Sequence, residues 1–89
     1  MIEKITRLVK LAAMATAGVS RMSSPIEVLV IPKQLKLETY DVDVFLIVKA
    51  DVRIPEVAWD VQNNIMKVLK AEGINSVEHI NINVQGVDY

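Results

Sequence analysis

The apolar positions of this chain change period three times, and each change marks an element. At 100° per residue Ile2, Ile5, Leu8, Val9, Ala12 and Ala13 share one stripe while Glu3, Lys4, Arg7 and Lys10 point away, which predicts an amphipathic helix from about Ile2 to Ala17. Gly18 is placed to end it, and Ser20 to Pro25 reads as a connector of turn residues. Ile26 to Ile31 is rich in β-branched types and runs into Pro32, which suits a short extended segment at a sheet edge, because proline cannot donate to a ladder. Leu35 and Leu37 then alternate with Lys36 and Glu38, Thr39 to Asp41 offer a turn, and Val42 to Asp51 has the strongest strand pattern. These two arms predict a hairpin.

The period returns to helical after Ile54. Pro55 suits a first turn because its missing N–H has no acceptor there, and Glu56 beside it complements the positive end of the helix dipole. Val57, Val61, Ile65, Val68 and Leu69 form the core stripe with Ala58 inside it, opposite Asp60, Asn63, Lys67 and Lys70, and Gly73 stops the helix. From Val77 the pattern alternates again: Ile80, Ile82 and Val84 on one face, His79, Asn81, Asn83 and Gln85 on the other. A crossover through a helix makes this last strand parallel to the hairpin's second strand if they share a sheet. The expected fold is α+β in the order α-β-β-α-β, a small mixed three-stranded sheet with two helices on one face, one domain over residues 1–89.

That architecture leaves one sheet face open. Val44, Leu46 and Val48 point to one side of the hairpin's second strand and Phe45 and Ile47 to the other, so its middle is apolar on both faces, as in a central strand. Phe45 and Ile47 then either lie in an uncovered patch that associates or pack under the Ile26 to Ile31 segment. Trp59 and Met66, seven residues apart, fall together at the edge of the second helix's stripe. They are either an interface or the rim of the core. His79, Asn81 and Asn83 form the polar column of the last strand. The interface candidates are therefore Phe45, Ile47, Trp59, Met66, His79, Asn81 and Asn83.

Composition removes much chemistry. The 89 residues contain no cysteine and one histidine, which leaves no disulfide framework, thiolate metal site or cysteine nucleophile, and few imidazole-based sites. A cytoplasmic, non-enzymatic chain without catalytic, cofactor or metal residues is the expectation. The net charge of −1 conceals +4 over residues 1–36 and −5 over the rest, a polarity that steers partners or arises by chance in small domains. No apolar run reaches the roughly 18–20 residues of a membrane span. The start mimics a signal peptide, with Ala15-Thr16-Ala17 as its cleavage site, but Leu11 to Ala17 is short and fits the helix better.

Two other classes leave traces. Lys4, Arg7, Lys10 and Arg21 form a basic set that a small nucleic-acid-binding domain would use, though without interleaved aromatics or a GxxG clamp; nucleic acid is the less expected partner. His79 with a carboxylate would serve acid/base chemistry if a cleft surrounded it. Asp41, Asp43 and Asp51 surround one strand without completing a metal or phosphate site and read as solvated charges.

Ile54-Pro55-Glu56-Val57-Ala58, then Val61-Gln62, Gly73-Ile74 and Asn81-Ile82-Asn83-Val84-Gln85-Gly86-Val87, resemble in order and spacing the alkaline shock protein family of bacteria. Val42 to Val48 looks like the family's hydrophobic strand and Gly18-Val19 like its Gly-Val junction, whereas Ala50-Asp51 stands where members often carry Tyr-Gly. The resemblance covers roughly residues 5–87. It implies a cytoplasmic protein linked to envelope or alkaline stress, which assembles as a homo-oligomer and reaches the inner membrane surface through a membrane-anchored protein partner. It supplies no catalytic residues.

Overall fold

The computed structural model describes all 89 residues. In chain order they form α1 (Ile2–Met14), β1 (Val19–Met22), β2 (Val28–Pro32), β3 (Tyr40–Lys49), α2 (Ile54–Ala71) and β4 (Val77–Asp88). β3 is the spine of the sheet. Along one of its edges β2 pairs antiparallel with its first half and β1 with its second; along the other, β4 runs parallel to its whole length. Four strands thus make a mixed sheet three strands wide, with both helices on one face. The order is α-β-β-β-α-β.

The helices follow their stripes. Ile5, Leu8, Val9, Ala12 and Ala13 of α1 and Val57, Val61, Ile65 and Leu69 of α2 are buried against Val42, Val44, Leu46 and Val48 of β3, the alternate residues on the helix side. Each added buried branched side chain removes enough apolar area from water to contribute about 1.5–3 kcal/mol. Between the helices, Thr16 donates to the Ala12 carbonyl at 2.9 Å and accepts from Asn64 Nδ2 at 2.8 Å, so the one buried polar side chain is satisfied.

Three expectations need correction. The first helix ends at Met14 rather than Ala17, and the chain turns through Gly18 at φ +93°, whose carbonyl accepts from the Lys49 amide. The stretch expected to be a connector begins with a strand, because Val19 and Met22 reach the core from the β3 edge; the turn is confined to the residues after Met22. The first hairpin arm is Val28–Pro32, not the Leu35–Leu37 stretch. Val28 and Val30 contribute apolar surface to the helix side, whereas Leu35 and Leu37 are 99% and 94% exposed in the connecting loop and pair with nothing. Burial decided between two alternating segments, and Pro32 is tolerated because it ends an edge strand.

Candidate functional site

The open sheet face is framed by charge at both ends. At one end Arg21 of β1 meets Asp88 of β4 across β3, Nε to Oδ2 3.1 Å, and Ser20 Oγ donates to the same oxygen at 2.6 Å. In the register Ile47 lies beneath this strap, opposite Arg21 on one side and Gly86 on the other. It keeps only 9% exposure. The hydrogen bond from Ser20, then that from Arg21, holds the Asp88 carboxyl below its ordinary range. At the other end Lys33 and Lys36 each reach Glu78 at 3.3 Å, and Lys33 also lies 3.7 Å from Asp41. Their hydrogen bonds, Lys33 first, lower the Glu78 carboxyl in the same way.

Between these frames lies an apolar window. Leu29 and Ile31 of β2 sit beside Asp43 and Asp41, with Phe45 further along β3, and neither helix covers this side. Within the Ile26 to Ile31 segment, Val28 to Ile31 lies beside β3 as part of β2, and the half-buried Phe45 donates its amide to the Glu27 carbonyl at 2.9 Å. Beyond Phe45, the β4 column continues the face: Asn81 Nδ2 donates to Asp43 Oδ1 at 2.9 Å and Asn83 Nδ2 to the Val44 carbonyl at 3.3 Å. His79 is exposed at the Glu78 end, its Nε2 3.4 Å from Glu78 Oε1.

Of the seven sequence candidates, Phe45, Ile47, His79, Asn81 and Asn83 share the open face, although Ile47 is largely sealed. Trp59 and Met66 belong to a second surface. They stand 63% and 47% exposed on the flank of α2, over a groove between that helix and β4. The deeper part of this groove holds about 400 Å³ and is lined by Gln62, Met66, Leu69, Ile74, Val77 and Ile80, with His79 and Asn81 at its rim. The groove and the Asn81–Asn83 end of the open face meet at β4, which forms one whole edge of the sheet, β1 and β2 sharing the other.

Sequence reasoning missed three contributors. Leu29 and Ile31 were legible as the alternate set to Val28 and Val30. The straps were not, because Arg21 and Asp88 are 67 residues apart. Gln62 gave no signal: its amide donates to the Ile80 carbonyl at 2.7 Å, on the side of β4 away from β3. In the basic set, Lys10 is paired with Glu27 at 2.7 Å and Arg21 with Asp88, which leaves Lys4 and Arg7 without acidic partners. No three His, Cys, Asp or Glu side chains are placed to share a metal ion, and no helix is long and apolar enough to cross a membrane.

No family model and no curated protein matches the chain. Solved structures do. MamM-CTD 215-293 superposes with a TM-score of 0.70 at 15% identity, covering 97% of this chain and 99% of that chain. A nickel form of a variant of the same MamM CTD superposes at 0.67 and 15% identity, covering 94% and 96%. At that identity the likeness establishes a shared fold over essentially the whole length.

Proposed function

We propose that this chain is a non-enzymatic interaction module that associates with a second copy of itself and docks a protein partner through the surfaces meeting at β4. The observation that carries this reading is the apolar surface left in water, with exposed Leu29 and Ile31 beside half-buried Phe45 between two ion-paired frames on the open face, and exposed Trp59 and Met66 on the α2 flank over β4. Large apolar side chains left together outside a core this small cost solubility and are found where partners bind. The Glu78 carboxylate beside His79 is already held by two lysines, and the imidazole stands in open solvent, which suits a polar rim better than a general base. The alkaline shock protein resemblance supplies the setting: a cytoplasmic protein of the envelope-stress response, brought to the inner membrane surface by a membrane-anchored partner. A whole-chain fold shared with MamM CTD structures is compatible with that role.

Amide NMR spectra over a dilution series test the reading. Resonances of Trp59, Met66 and their neighbours on β4 are expected to move with concentration, and those of Phe45 on adding a partner, while those of α1 stay fixed. Spectra that superimpose at every concentration, and that no membrane-anchored candidate perturbs, would contradict it. Binding to RNA or DNA that weakens steeply with salt would instead favour the basic helix as the working surface.

A further inference from the structure

An edge strand offers a row of unpaired N–H and C=O groups, and proteins usually blunt such an edge with lysine, proline, a bulge or an overlying loop. The β1/β2 edge is blunted: it is interrupted between Met22 and Val28 and carries Arg21 and Pro32. β4 is not. From Val77 to Asp88 it has no proline, lysine or arginine, and its register against β3 shifts only near its two ends, so His79 to Val84 runs unbroken. The bond from Gln62 shows that the Ile80 carbonyl points away from β3. Because backbone groups alternate along a strand, Ile82 and Val84 also present their N–H and C=O outward.

We infer that this edge pairs antiparallel with the β4 edge of a second copy, with Ile82 opposite Ile82, joining two sheets into one. The inference deepens the proposed function by assigning the second copy to the edge and leaving the open face for another partner. Self-pairing fits for three reasons. In this register Ile80 of one copy opposes Val84 of the other and Asn81 opposes Asn83, so apolar residues meet on the helix side and amides on the open side. The paired segment contains no acidic or basic residue apart from His79 at its end, so no like charges oppose each other. A two-fold axis perpendicular to the sheet keeps both helix layers on one side and sets the two α2 flanks across the seam, where Trp59 and Met66 become covered. Gln62 stands in for one donor of the missing strand: on pairing, its bond to Ile80 passes to the Val84 amide of the other copy.

The absence of native cysteine makes a direct test available. Opposed residues of a hydrogen-bonded antiparallel pair lie about 5.5 Å apart at Cα, within the roughly 4.4–6.8 Å that a disulfide spans. Under mild oxidation Ile82→Cys is therefore expected to yield a cross-linked dimer and Phe45→Cys none. In the unaltered chain, hydrogen exchange of the Ile82 and Val84 amides is expected to slow at least about tenfold from dilute to concentrated solution; this second readout decides the matter if either variant fails to fold. Cross-linking through Phe45→Cys but not Ile82→Cys, with exchange at Ile82 and Val84 unchanged, would overturn the edge assignment and leave self-association standing on the open face. Spectra, exchange and cross-linking all independent of concentration would overturn self-association itself.

Discussion

A methyl group on Gly18 would meet Val57 Cγ2 at 2.6 Å, and the residue's φ of +93° is one that side chains rarely adopt, whereas a methyl on Gly73 would meet nothing within 4 Å. Gly18→Ala therefore combines backbone strain with overpacking and is expected to cost about 2–4 kcal/mol. Gly73→Ala carries only the left-handed backbone cost, about 1 kcal/mol. Equal losses in urea unfolding would contradict that account. Two carboxyls set the acid response. Asp88 and Glu78 both titrate lower in the folded chain than in the unfolded one. Near pH 4 the unfolded chain thus binds more protons, so their stabilisation is present at neutral pH and lost as pH falls through the carboxylate range. The melting temperature should drop between about pH 5 and pH 3, and a Glu78→Gln, Asp88→Asn variant should show a shallower decline over the same interval. A slope unchanged in the variant would show that neither strap stabilises the sheet. Gly18 and its junction were legible in the sequence. The straps depend on residues that only the folded sheet brings together.

Among the elements, α2 was the most readable because every local signal agreed: proline and glutamate at the start, a clean stripe, a glycine stop and a fully buried Ile65. Ile65→Ala is expected to cost about 2–5 kcal/mol, checked by chemical denaturation. The hairpin misled for a specific reason. Leu35-Lys36-Leu37-Glu38 alternates like a half-buried strand but spans only four residues, whereas Val28 to Ile31 is apolar throughout because β2 has core on one side and an uncovered window on the other. A Leu35→Ser, Leu37→Ser variant should accordingly unfold within about 0.5 kcal/mol of the unaltered chain; a larger loss would mean that this loop packs in solution. β1 was hidden for another reason. Its four residues, Val19 to Met22, are too few to show an alternation and run into the turn residues Ser23 to Pro25, and only pairing with a strand some 25 positions later makes them a strand.

At the scale of the molecule, the chain has spent its apolar residues unevenly. The helix side of the sheet is sealed, while Leu29 and Ile31 of β2 keep apolar surface in water on the open face and Trp59 and Met66 do so on the α2 flank beside the unblunted edge of β4. Five of the seven candidate residues lie on the open face, and Trp59 and Met66 lie on the helix flank, as their spacing on α2 required. Nothing in the sequence revealed that both surfaces adjoin β4, because the neighbour of that strand was not encoded in its alternation. The excess of acid after residue 36 is likewise partly neutralised within the fold, where Lys33 and Lys36 hold Glu78 and Arg21 holds Asp88. What the β4 edge and its flank offer a partner is apolar and amide surface more than charge. Light scattering on the unaltered chain over a wide concentration range tests this most directly. A mass rising from 9.9 kDa toward twice that value, with little change on adding salt because the contact is largely uncharged, is expected; a mass of one chain at every concentration would contradict self-association.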